Sequence, residues 1–417
     1  MRRRVAAIII GRIAVVLLAA SGGAFPAHAD QVSDWSRALR SANVATRADA
    51  AEALAKEAQT KGGKAKCRPA YGVLLATLGD PVESVRKQAL RAIASLTTRD
   101  DVNTLIGLLA SPNAHKREAA ATLLGILGDR RASEPLARAV HDTNAPVRAA
   151  ATEALGALGD PRAAGALLPL LADRDARVRL KTVTALGALR ERGSARSVLP
   201  LLHDGDRNVQ RNAAVALARI GNPEVAPGLI SIVNSTAPGD RFGVRFYAAF
   251  ALGALGDHRA VPVLIRGLSD RDRDVRVAAA AALSQMRDPA SVPGLIAGMS
   301  DRAELMRWTC AQALGNIRDK RAVPALIKGL KDSNEDVREQ SAKALGKIGD
   351  RSAVTALVGV FKDADEAIPK AAVLALGRIR DRRALPAVKK LLTHKDASVR
   401  LAAAEVAKTL EAVPEKP

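Results

Sequence analysis

Aromatic residues make up only 2% of this 417-residue chain, and its cysteines number two. Few large rings means that burial has to come from Ala, Leu, Val and Ile, which suits many small helices packed closely. Two cysteines exclude a disulfide framework. Past residue 29 every apolar run is broken by charge within a few residues, so no transmembrane helix is expected there. Common enzyme signatures are missing as well. There is no Gly-x-x-x-x-Gly-Lys-Ser/Thr to cradle phosphates, no Gly-x-Ser-x-Gly, no His-Glu-x-x-His and no Cys-x-x-Cys pair. His115, His141, His203, His258 and His394 fall in loops of different segments, so they build no cluster. No catalytic residue, metal site or cofactor is assigned.

What is present is 48% hydrophobic residues and 26% charged ones, with 64 Lys and Arg against 43 Asp and Glu, a formal charge of +21. That balance argues against wholesale disorder. One hydrophobic core stops growing near roughly 250–300 residues, so the length implies several domains or a repeat array.

Residues 1–29 read as a bacterial export signal. Arg2, Arg3 and Arg4 precede an apolar stretch from Val5 to Ala20, and Ala27-His28-Ala29 forms a small-residue cleavage pattern before Asp30. Arg12 interrupts the stretch, and retention as an anchor stays open. The expected destination is the periplasm or the medium, with no membrane span after cleavage.

A 31-residue period organises the rest. Ala145-Pro-Val-Arg-Ala-Ala-Ala-Thr-Glu-Ala-Leu-Gly-Ala-Leu-Gly-Asp160 recurs as Glu335-Asp-Val-Arg-Glu-Gln-Ser-Ala-Lys-Ala-Leu-Gly-Lys-Ile-Gly-Asp350. Its Arg falls at Arg47, Arg86, Arg117, Arg148 and Arg179, then, after Gln210, at Arg245, Arg276, Arg307 and Arg338, and after Pro369 at Arg400. The column makes twelve units, with an eight-residue insertion before Arg86 and a four-residue one before Arg245. Such a period marks a solenoid. Val147, Ala151, Ala154, Leu155 and Leu158 share one face of a predicted second helix. Pro227, Pro262, Pro293, Pro324 and Pro386 share the start of a shorter first helix, where a missing N–H costs nothing.

The recurring Gly-Asp-x-Arg-Ala-Val-Pro-x-Leu-Ile, Asp-Val-Arg and Ala-Leu-Gly resemble the HEAT-like repeats of the bilin-lyase type, over about residues 40–410. The resemblance implies an all-α fold, a right-handed α-solenoid of about twelve two-helix repeats whose second helices line a concave side. It does not imply one activity, because such repeats serve many partners. The expected organisation is a signal over 1–29, a divergent capping repeat and insertion over 30–69, the solenoid over 70–410, and a disordered tail over 411–417. HEAT-repeat hydroxylases hold iron with repeated His-Glu pairs, and this chain has none.

A second column, Asp142, Asp173, Asp204, Asp270, Asp301, Asp332 and Asp363, precedes the second helices. An Asp there is expected to accept from free N–H groups at the helix start. The Arg of each unit lies about 75° from the buried face at 100° per residue. The arginines Arg86, Arg117, Arg148, Arg179, Arg245, Arg276, Arg307, Arg338 and Arg400 are therefore expected to form a structural ladder with Asp residues of adjacent loops. Asp270, Asp272 and Asp274 lack the Gly and Glu of a calcium loop, Val275 and Ala281 standing in those places, so no metal is assigned. Cys310 is expected to be buried. Cys67, beside Lys64, Lys66 and Arg68, is expected to be more exposed; an intermolecular bridge is open to it, but an unpaired, inert thiol is the expected state.

The strongest departure from the period is the insertion at 234–240, which leads into Phe242, Phe246, Tyr247 and Phe250. The slots one and five residues past the Arg look away from the core on a helical wheel. In the central units these slots hold Phe246, Phe250, Val277 and Trp308. With Phe242, Arg211 and Arg241 they make a candidate partner-binding patch, since contiguous exposed apolar area marks interaction sites. A plainer reading has the insertion fold back and bury Phe242 and Phe246 as a local core.

The even spread of positive charge and the compact aromatics do not suit nucleic acid. The expected function is an exported, non-enzymatic scaffold binding a protein or peptide partner, an acidic one fitting the charge. Two alternatives stand beside it: a lyase-like or client-modifying accessory subunit, and an envelope polyanion-binding protein.

Overall fold

A computed structural model describes residues 31–235 and 243–414, and the expected signal and the last residues of the expected tail lie outside them. Every regular element among the described residues is helical. The chain divides into two compact units, Met1–Ser194 and Ala195–Pro417.

Each unit is a stack of helix pairs. We number the second helices of the pairs. Unit 1 holds α1 (Val44–Glu57), α2 (Glu83–Leu96), α3 (Ala114–Leu127), α4 (Ala145–Leu158) and α5 (Ala176–Leu189). Unit 2 holds α6 (Arg207–Ile220), α7 (Val244–Leu255), α8 (Arg273–Met286), α9 (Glu304–Ile317), α10 (Glu335–Ile348), α11 (Ala367–Ile379) and α12 (Ala397–Glu411).

The repeat ending in α8 shows how sequence sets each boundary. Asp257 accepts the N–H of Arg259 at 2.9 Å and starts a single 3-10 turn, His258–Ala260. Pro262 sits in the first turn of the short helix Val261–Gly267, where it forfeits no bond. Asp272 then caps α8 by accepting from Asp274 N–H at 2.8 Å.

Packing depends on small residues. Val147, Ala151, Ala154, Leu155 and Leu158 of α4 are all buried. On the far side of the Ala-Leu-Gly motif, a Cβ added to Gly156 would stand 2.8 Å from Ala185 Cβ on α5, and one added to Gly253 would stand 2.6 Å from Ala282 Cα on α8. Glycine costs roughly 0.5–1 kcal/mol inside a helix. It is retained here because consecutive second helices nearly touch backbone to backbone.

The charged columns tie neighbouring repeats together. In unit 1, Arg148 Nε and Nη2 donate to the two Asp173 oxygens at 2.7 and 2.8 Å, and Nη1 donates to the Asp142 carbonyl at 2.9 Å. Arg117 meets Asp142 in the same way, and Arg47 meets Asp80. In unit 2 the pairs are Arg245–Asp270, Arg276–Asp301, Arg307–Asp332 and Arg338–Asp363. Arg86, Arg179 and Arg400 donate to the carbonyls of the loop before their own helix. Gln210 takes the Arg slot of its repeat, and its Nε2 donates to the Asp204 carbonyl at 2.6 Å.

One expectation needs correction. The Asp column does not cap the helices. Asp142, Asp173, Asp204, Asp270, Asp301, Asp332 and Asp363 each accept from the N–H two residues on, closing a tight turn. The residue at that later position, such as Asn144, Asp175, Asp206, Asp272 or Asn334, caps the helix. Each helix begins about one turn further along than the earlier carboxylate can reach, which leaves that carboxylate free for the Arg.

The exposure expected of Cys67 is also corrected, while the thiol is free as expected. The residue is fully buried in the short helix Gly63–Cys67, where burial raises its thiol pKa. A surface bridge through it is therefore excluded in the folded chain. Cys310 is buried in α9, with its thiol pushed up to about 12 by desolvation.

Candidate functional site

Within unit 2, α6, α7, α8 and α9 pack side by side in chain order. Neighbouring packed helices stand roughly 8–10 Å apart. The slot after the repeat Arg therefore aligns Arg211, Phe246, Val277 and Trp308 across four helices. Arg211 is exposed, while Phe246, Val277 and Trp308 are half-buried. Phe250, one turn further along α7, is 39% exposed, and Leu305 at the start of α9 is 48% exposed. The Phe246 and Tyr247 rings meet edge to face with centroids 5.4 Å apart. Arg241 and Phe242 lie outside the described residues, and α7 begins directly after Gly243, whose φ is 70°. Arg245 is not part of the exposed face; it is buried against Asp270 at 2.5 Å.

The same face continues toward the chain's end as an open groove of ≈ 540 Å³ lined by α9, α10, α11 and the start of α12. Gln312 and Gln340, Lys347 and Lys370, Leu374 and Arg378 are among its lining residues. Leu374 is 37% exposed. A side-chain relay crosses three helices beside it. Asn316 Nδ2 on α9 donates to Ser284 Oγ on α8 at 2.9 Å, and Lys347 Nζ on α10 donates to Asn316 Oδ1 at 2.8 Å. Burial, and after it the charges of Arg378, Arg318 and Arg287, hold the Lys347 ammonium below its usual range.

The groove was not singled out in the sequence, because its charges come from successive repeats and each looks like ordinary solvated surface. A signal was nevertheless present. Where Gly128, Gly159, Gly221, Gly256 and Gly349 end their helices in the left-handed conformation, the slots at 190, 287, 318 and 380 hold arginine at φ 53–61°.

The acidic run beside α8 is internally committed. Asp270 takes Arg245 and the Asp272 N–H, Asp272 caps the helix, and Asp274 pairs with Arg273 at 3.1 Å. Among the described residues, no group of three or more His, Cys, Asp or Glu side chains is placed to hold a metal ion. No helix among them is long and apolar enough to cross a membrane.

Comparison with known proteins agrees with this architecture. The family model for HEAT repeats matches residues 102–180, 164–243, 240–305, 292–370 and 360–415. The chain is similar to the karyopherin Kap121p bound to the extreme C-terminus of the protein phosphatase Cdc14p, at 17% identity and a TM-score of 0.60, over 91% of this chain and 49% of that one. It is similar to Kap121p bound to Nup53p at 15% identity and 0.59, over 91% and 49%. A Kap95p structure with RanGDP matches at 14% identity and 0.59, over 91% and 56%. The chain thus spans about half the length of these karyopherins, and at such identity the likeness is one of fold. No curated protein matches it in sequence.

Proposed function

The chain belongs to the HEAT-repeat family, and on that premise we propose that it is an exported, non-enzymatic scaffold that binds a protein or peptide through the second-helix face of unit 2. The observation that carries this reading is the exposed Phe250 beside half-buried Phe246, Val277 and Trp308 on three successive helices. In a chain with 2% aromatics, rings gathered on one open face are better suited to contact than to core. Exposed Arg211 at the edge supplies a hydrogen-bonding rim. The Kap121p neighbours bind protein segments, which fits the use of such a fold as a peptide receptor. Export is supported by the charged, apolar and small-residue regions of 1–29.

The test is cross-linked capture from the cell envelope, comparing the wild type with a Phe250→Asp/Trp308→Asp variant shown by circular dichroism to be folded. A protein held by the wild type and lost from the variant supports the reading. Equal capture by both contradicts it. A captured chain whose first residue is Asp30 supports export, and one that begins at Met1 in the cytosol contradicts it.

A further inference from the structure

The groove that continues the second-helix face has a charge balance of its own. Its two acids are already matched: Glu339 takes Lys343 at 2.8 Å, and Glu366 takes Lys395 at 2.9 Å. Lys347, Lys370 and Arg378 remain, and among the described residues none of the three has an acidic partner. Arg287 and Arg318, at the ends of α8 and α9, add to the field at Lys347. Both hold the left-handed backbone that five other helices give to glycine, at φ 55° and 61°. That conformation costs a residue with a side chain free energy. A positive charge near a helix C-terminus recovers only part of it. Strain kept beside a cluster of like charges suggests a use for the charge.

The remaining lining chooses among anions. Gln312 and Gln340 make no side-chain hydrogen bond within the described residues, and Leu374 offers exposed aliphatic surface between the cations. A phosphate chain would use the charges alone. An extended peptide uses all three features, because its carboxylates meet the cations, its backbone amides meet Gln312 and Gln340, and an apolar side chain covers Leu374.

We propose that this groove is the receptor for an acidic, extended segment of a partner protein, with carboxylates held by Lys347, Lys370 and Arg378 and backbone held by Gln312 and Gln340. The proposal rests on the peptide-binding reading above and assigns it a ligand chemistry. The relay from Ser284 through Asn316 fixes the Lys347 ammonium at the groove edge, so its charge is positioned before the ligand arrives.

The test is fluorescence anisotropy on the full chain with three probes: a labelled peptide of alternating Glu and Val, its Gln and Val counterpart, and inorganic polyphosphate as competitor. The wild type is expected to bind the Glu peptide saturably and the Gln peptide not at all. Combined Lys347→Gln, Lys370→Gln and Arg378→Gln substitutions are expected to weaken binding at least about tenfold. Lys370→Glu alone, at an exposed position, is expected to weaken it in the same direction and guards against a folding defect in the triple variant. Phe250→Asp/Trp308→Asp is expected to weaken binding of the Glu peptide less than the triple variant does. Loss in that variant with retention in the triple variant would overturn the groove and leave the aromatic face standing. Retention in both would overturn the groove, as would no saturable wild-type binding. Polyphosphate displacing the peptide while binding more tightly would also overturn it, in favour of a general anion site.

Discussion

Arg148 and Asp173 show what the repeat demands of single residues. Their side chains are 9% and 8% exposed, and the guanidinium reaches both its own loop and the next repeat. Arg148→Ala is expected to cost about 2 kcal/mol, read as a lowered urea midpoint, because it strands the Asp173 charge. Arg177→Ala, whose side chain is 72% exposed in a local pair with Asp175, is expected to leave the midpoint unchanged. The hydrogen bonds from Arg117 and Arg148 hold Asp142 and Asp173 below the ordinary carboxylate range. Asp160, bonded to Arg162, falls to about 2. Depressed folded-state values mean that these carboxylates bind protons more readily in the unfolded chain. Their stabilisation is full above the unfolded value near ~4 and is lost as pH falls through the depressed folded values. Thermal midpoints should therefore be level from neutral pH to about 4 and fall below it. A midpoint that does not fall below pH ~4 would contradict the contribution of these ion pairs.

At the scale of the element, the contacts that decide packing are those where nothing larger fits. Gly253→Val is expected to cost about 1–3 kcal/mol because α7 and α8 would have to part. Arg287→Gly should raise stability by about 0.5–1 kcal/mol by relieving a left-handed residue, while weakening anion binding in the groove. A stability loss in that variant would remove the strain from the account. Much of each element was legible beforehand. The Pro slot marks the start of the first helix by a local rule, and the buried face of the second follows from the spacing of Val147, Ala151, Ala154, Leu155 and Leu158. The Asp column misled because two oxygen-bearing residues stand two apart in the same turn. Only the start of the helix in space decides which one caps it. Cys67 misled for a related reason: its charged neighbours along the chain point outward while the short helix turns the thiol inward.

For the whole molecule, the period alone was enough to establish repeated helix pairs, because a 31-residue unit cannot bury its apolar stripe without neighbours. The candidate face was half legible. The Phe246, Val277 and Trp308 slots follow from counting around a helix, and the structure has them on successive helices. The groove beyond them was not legible, since it exists only once Lys347 of α10 is brought beside Lys370 and Arg378 of α11. The most direct measurement of the central claim uses Trp308 as its own reporter. In a Trp35→Phe variant it is the single indole, so its emission is recorded while a captured partner is added. The account predicts a blue shift and protection from acrylamide quenching as the ring is covered. Emission and quenching that stay unchanged at saturating partner would contradict binding on this face.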